Sequence, residues 1–453
     1  MTDLRNYRGT ALSRRTLLQA TAGGLASFAP LTMMGPDAAA QTRVTVDSGN
    51  IQPRPIAIPD FISPNPQLGR DLAMVLAADL QNSGLFKLLN PNGFPEKFNN
   101  PSQPPRTRDW AAAGAEALVV GQVAQGPDGR VQVEYRLWDV VLNRNIDGKR
   151  LANPAWRRLA HITADQIYEK LTLEKGYFDT QIVFVDETGP KDKRIKRLAI
   201  MDQDGFAGSV RTLSQGREIV LTPRFNPVKQ EICFMTYVGE QARVVIMNLG
   251  SGQREVVGNL PGMTFAPRFA PDGQRLVMSF GQGAASQIIE MDLRSRQPRQ
   301  LTPLDPKIID TSPCYSPDGR QLVFESDREG TQQLYITGLD GSGVRRLSRG
   351  DGRYSTPVWS PRGDNIAFTK QVSGGFLIGV IKPDGTGERI LTEGFHNEGP
   401  TWAPNGRVMA FFRESRGAQG GARLHSIDIT GYNERQLPTP SFASDPAWSP
   451  LLS

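Results

Sequence analysis

The sequence predicts a mainly β fold, a six-bladed β-propeller preceded by a small α+β domain, and three observations predict it. A motif of the form x-Pro-x-aromatic-small-Pro recurs six times, at intervals of 43 to 46 residues. Glycine and proline number 46 and 34 of 453 residues, well above the roughly 12% of an average chain, as a turn-rich protein requires. The stretch ahead of the repeats has no repeat of its own and carries two helical stripes between strands. Composition narrows the function classes. With 38% hydrophobic residues there is ample material for a core, which excludes disorder over most of the chain. Two cysteines (Cys233, Cys314) and three histidines exclude a disulfide framework and a Cys/His metal site. The net charge of +6 is small for this length and scattered, so a nucleic-acid surface is not expected.

Residues 1–40 read as an export signal. Arg14-Arg15 precede a mildly apolar stretch from Leu17 to Gly35, which closes on Ala38-Ala39-Ala40. This resembles a twin-arginine signal with cleavage between Ala40 and Gln41. Pro30 and Pro36 argue against a spanning helix there, and no later stretch reaches the ~18 apolar residues one needs. The expected mature chain begins at Gln41 and resides in the periplasm. Residues 41–178 are expected to form the α+β domain. Strands are predicted at Arg43–Asp47 and Ile56–Ile58, followed by a helix over 67–83 with the stripe Leu68, Leu72, Val75, Leu76, Leu80. Residues 91–108 read as a loop, and 117–124 and 130–141 as strands around the turn Gly126-Pro127-Asp128-Gly129. A second helix over 154–171 carries Trp156, Leu159, Ile167 and Leu171 on one face, and 174–180 reads as a linker.

The repeats fill 179–453. Their second prolines stand at 227, 271, 317, 361, 404 and 450. The first proline of each can open a strand without breaking a ladder, the aromatic can wedge between sheets, and Pro-Asp-Gly suits a tight turn. A second family of hairpins interleaves with the first, ending at 213, 257, 301, 347, 391 and 437. Two hairpins per period make four strands per unit, which is a propeller blade. The last motif, Trp448-Ser449-Pro450, has no hairpin of its own, whereas 181–221 has an outer strand (182–186) and a hairpin without that motif. Together they complete one blade and close the ring.

Chemistry is sparse. Nucleophile elbow and Walker loop are both missing. Gly281-Gln282-Gly283 sits in a hairpin turn with no helix after it, and Asp202-Gln203-Asp204-Gly205 repeats a turn found in the other blades. His161 and His425 read as packed or solvated residues; His396, in a loop before an innermost strand, reads as a contact. The run 191–197, five cations in seven residues, reads as a solvated turn or a patch for an acidic partner. No cofactor, metal or catalytic residue is expected. Function should lie in the loops before the innermost strands, the least alike among the repeats, which carry Glu218, Met263, Phe265, Lys307, Asp310, Arg353, His396 and Glu398. That mixed rim suits a protein or peptide.

An exported domain opening on Arg43-Val44-Thr45-Val46-Asp47-Ser48-Gly49, six such blades and the closing Trp448-Ser449-Pro450 resemble the TolB family, periplasmic components of the Tol–Pal system, over 41–453. The resemblance implies a non-enzymatic, monomeric binding protein that touches membranes only through its partners. It implies that the rim holds the lipoprotein Pal at the outer membrane and peptidoglycan, and that the mature N-terminus engages TolA at the inner membrane, during outer-membrane constriction. Carried over by position, Met263, Thr264, Phe265, Ala266, Asp310 and Thr311 match Pal-facing turns. Arg353, His396 and Glu398 join them on the rim. Gln41, Thr42, Arg43, Val44, Thr45, Val46 and Asp47 match the TolA-binding tail. The family often has histidine and asparagine where this chain has Met263-Thr264, which makes the rim more apolar here. Two other readings stay open at this level: a propeller that senses a small ligand or glycan, and the accessory propeller of a peptidase, for which no hydrolase domain is visible.

Overall fold

The computed structural model describes residues 52–258, 260–417 and 420–452. The expected signal, its cleavage site at Ala40-Gln41, the tail 41–47 and the strand 43–47 lie outside the described residues. The N-terminal domain is built on a five-stranded sheet of β1 (Arg54–Ala57), β2 (Phe86–Leu88), β3 (Ala117–Gln125), β4 (Val131–Asp139) and β5 (Arg144–Asn153), in the order β2-β1-β3-β4-β5. β1 runs parallel to both neighbours, and β3, β4 and β5 are antiparallel. Helices α1 (Pro66–Asn82) and α3 (Trp156–Thr172) pack together on the sheet and bury their apolar stripes in the domain core. Asn65 caps α1, its Oδ1 accepting from Gln67 N at 3.1 Å with Pro66 at the first helical position. The short α2 (Thr107–Ala112) brings Trp110 to a smaller core with Ala57, Leu118 and Val120.

Three differences from the sequence reading have physical causes. β5 carries a polar, unalternating sequence because it is an edge strand with one neighbour, and its charged side chains guard that edge. β2 is too short to show a period. The segment 174–180 is not a free linker: Tyr177, Phe178, Asp179 and Thr180 are all buried.

Residues 181–448 form six four-stranded antiparallel sheets around a channel. Innermost are Val220–Phe225, Met263–Phe269, Asp310–Tyr315, Arg353–Trp359, His396–Trp402 and Phe442–Trp448. The first five open blades one to five. The sixth blade is composite: Phe442–Trp448 pairs with Gln181–Thr188, with Trp448 opposite Ile182, so the C-terminal strand closes the ring. Residues 182–186, expected as an outer strand, therefore lie second from the axis. The motif aromatics seal blade against blade; Trp402 Nε1 donates to Val358 O of the preceding blade at 3.0 Å.

One backbone feature repeats sixfold. The residue before the first proline of every motif has positive φ: Thr222, Ala266, Ser312, Thr356, Gly399 and Asp445, between 47° and 66°. Pairing with the next strand slips at the same point in each blade. Such a bulge bends the strand and re-aims the side chains beyond it, and at Thr222 and Thr356 a β-branched residue bears the strain.

Candidate partner-binding face

Each innermost strand runs from a mouth-side end (Val220, Met263, Asp310, Arg353, His396, Phe442) to a turn-side end, where the second proline of its motif stands. The N-terminal domain occupies the turn side. Arg157 lies 3.6 Å from Asp202 and bonds Asp204, Asn433 Nδ2 donates to Asn82 O at 2.8 Å, and Arg362 pairs with Glu174 at 3.1 Å. Between the domains Asp79 is fully buried; it faces His161 Nδ1 at 2.6 Å and accepts from Gln203 Nε2 at 2.9 Å. Asp202 and Asp204 are thus held by an arginine.

Among the described residues nothing covers the opposite mouth, which has two halves. Over blades one to three the loops and hairpins expose Ile219, Tyr237, Val238, Met263, Leu304 and Ile309. Over blades five and six the mouth is charged. His396 Nε2 lies 2.9 Å from Glu398 and its Nδ1 3.3 Å from Glu414, which also pairs with Lys191 at 2.9 Å. Hydrogen bonding to Glu398 raises the imidazole pKa above its ordinary value against partial burial, and the bond from Lys191 holds Glu414 below its own. A cleft of about 520 Å³ opens here, lined by Lys191, Arg194, Lys196, His396, Glu414 and Asp445 among others.

Residues 168–452 match the family model described as TolB beta propeller domain, and residues 42–146 match the TolB amino-terminal domain. The chain belongs to the TolB family. A curated relative, the Tol-Pal system protein TolB of Gluconobacter oxydans, is 47% identical over 448 residues, covering 97% of this chain and 96% of its own length. The crystal structure of TolB from Acinetobacter baumannii aligns with a TM-score of 0.75 at 27% identity, covering 88% of this chain and 97% of that one.

Within this TolB fold the residues expected at the rim separate by depth. Met263 and Arg353 are exposed; Phe265, Ala266, Thr311, His396 and Glu398 are half-buried. Thr264 and Asp310 lie beneath the surface. Thr264 Oγ1 accepts from Val244 N of the preceding blade at 2.9 Å, and Asp310 takes a two-pronged bond from Arg328 at 2.9 and 3.0 Å. Arg328 in turn stacks 4.8 Å above the ring of Tyr335. The basic run 191–197 begins in an exposed turn between two strands of blade six, as expected, and its cations also pair at the mouth: Lys191 with Glu414, Lys196 with Glu187 at 3.1 Å, and Arg194 over Phe442 at 4.1 Å. Sequence reasoning passed over the apolar mouth residues Ile219, Tyr237, Val238, Leu304 and Ile309. Their signal was present as large apolar residues in polar segments flanking the blade strands.

Proposed function

We propose that this chain is a periplasmic, non-enzymatic scaffold of the Tol–Pal system. Its propeller mouth holds Pal, the lipoprotein at the outer membrane and peptidoglycan, while the exported segment Gln41–Asp47 engages TolA at the inner membrane. The coupling serves outer-membrane constriction at division and envelope integrity. The observation that carries the reading is a mouth uncovered by the described residues: the N-terminal domain sits on the other end of the channel, leaving an apolar arc beside a charged one, the mixture a protein interface uses. Family membership and a relative named as a Tol-Pal system protein support the assignment. The chemistry of the titratable groups agrees with binding rather than catalysis. Each histidine faces carboxylates, and Cys233 is buried, with its thiol pushed up to about 12 by desolvation.

The test is direct titration of the chain from Gln41 with purified Pal and with the soluble part of TolA. Met263→Asp puts a charge on an exposed apolar contact and is expected to weaken Pal binding about tenfold or more, with stability changed by less than about 0.5 kcal/mol. Deleting 41–47 is expected to abolish TolA binding and leave Pal binding intact. Unchanged Pal affinity in Met263→Asp would move the contact off the mouth, and loss of both partners on deletion would argue against separate sites.

A further inference from the structure

The channel carries a feature the mouth does not use. One position past the first proline of each motif stand Arg224, Arg268, Cys314, Val358, Thr401 and Ala447, one per blade. The neutral members serve the fold: Cys314 Sγ accepts from Trp359 N at 3.4 Å, and Thr401 Oγ1 from Trp448 N at 3.2 Å. Blades one and two, which adjoin, place guanidinium groups there instead. Arg224 is only 9% exposed and Arg268 is half-buried. Neither forms an ion pair with a carboxylate among the described residues. Arg224 Nη1 donates to Pro223 O at 2.6 Å, and its Nε is buried without a partner among the described residues. Both residues line one cavity of about 40 Å³ that the innermost strands of blades one to four share, with Thr222, Ser312 and Thr356.

A buried guanidinium with a donor unspent, beside a half-buried like charge, is costly unless a counter-charge reaches the pair. The acids of the channel are poor counter-charges. Asp445 acts on Arg224 through space, but it accepts from Thr222 N at 3.3 Å, and burial raises its pKa. Glu325 is buried in another blade, its pKa pushed up to about 7 by desolvation. Desolvation, and then the charge of Arg268, pull Arg224 down to about 9.

We infer that the channel holds a small inorganic anion, of the chloride class, between the guanidinium groups of Arg224 and Arg268. Nε–H of Arg224 is one of its donors, and the ion ties blade one to blade two. A cavity of this size has room for one such ion and a water or two, and excludes a peptide or sugar acid. The inference does not depend on what the mouth binds.

The experiment is thermal unfolding of the chain from Gln41 in potassium chloride and in potassium gluconate at equal ionic strength, gluconate being too large for the cavity. The melting temperature is expected to rise by a few degrees, saturably, as chloride replaces gluconate. Arg268→Met removes one of two repelling charges, so it is expected to melt no lower than the parent in gluconate and to lose the chloride response. Crystals soaked in bromide provide a readout free of any variant: an anomalous peak is expected between the two guanidinium groups. An equal chloride response in parent and Arg268→Met would overturn the inference. So would a channel without bromide in which Arg224 has turned to pair with Asp445.

Discussion

His161 shows how one buried pair sets a pH dependence. Desolvation works against its charge, but Asp79 at 2.6 Å outweighs that and lifts the imidazole to about 9, with Asp204 adding to the rise and Arg157 opposing it. A raised folded-state pKa means that the proton stabilises the fold. The contribution is whole below the unfolded value of 6.5 and is lost as pH climbs through about 9. Asp165 and Glu325, both lifted to about 7 by burial, add a decline of the same sign at lower pH, between the unfolded carboxylate range and 7. Burial raises the Asp79 carboxyl and His161 opposes that rise, so the comparison is with Asp79→Asn/His161→Gln, which removes both titrating groups of the pair and leaves the shared background. The urea midpoint of the parent is expected to fall more steeply than the variant's between pH 6.5 and 9, and parallel profiles would sink the account. None of this was legible in the sequence, where His161 read as a packed or solvated residue. Its partner is 82 positions away. Thr264 and Asp310 make the same point at the mouth. Motif position brought them to the right turns, but depth depends on how the strand lies against its neighbours, and both side chains lie beneath the surface.

At the scale of elements, the regular repeats were readable and the irregular connections were not. Both long helices were visible because 17 residues give an apolar stripe several turns to recur. Seven residues give none, so 174–180 looked like a linker. In the structure Asp165 of α3 accepts from Phe178 N at 2.7 Å and Asp179 N at 3.0 Å, fixing the segment to the helix. Tyr177 and Phe178 fill the seam, with Tyr177 set 5.9 Å from Trp448 at the ring closure. The segment therefore acts as a shared core between domain and propeller. Phe178→Ala, which empties a fully buried site, is expected to cost about 3–5 kcal/mol in urea unfolding. A loss below about 1 kcal/mol, the scale of ordinary surface changes, would mean that the segment is a tether after all.

Across the whole molecule, stability hangs on the last strand. Trp448 Nε1 donates to Thr180 Oγ1 at 2.8 Å, Ser449 N donates to Gln181 O at 2.8 Å, and Arg158 donates to Leu452 O at 2.8 Å, joining the chain end to the start of the ring and to α3. A chain stopped before Phe442 leaves blade six without its inner strand, with a raw edge along Gln181–Thr188, and uncovers the faces of blades five and one that pack against that strand. It is expected to lose the cooperative thermal transition and to aggregate; a sharp transition near the parent's would show that the ring does not need this strand. The number of blades, their closure and the family were determined by the sequence alone, because five blades rest on contacts within about 44 residues, the motif repeats in the open, and the two chain segments that make the sixth each lack what the other carries. What only the tertiary structure decided is which end of the channel the N-terminal domain covers, which rim residues reach solvent, and which buried charges lack partners. Those follow from six bulges at positive φ and from pairs formed across blades and domains, and both burial and charge act through space rather than along the chain.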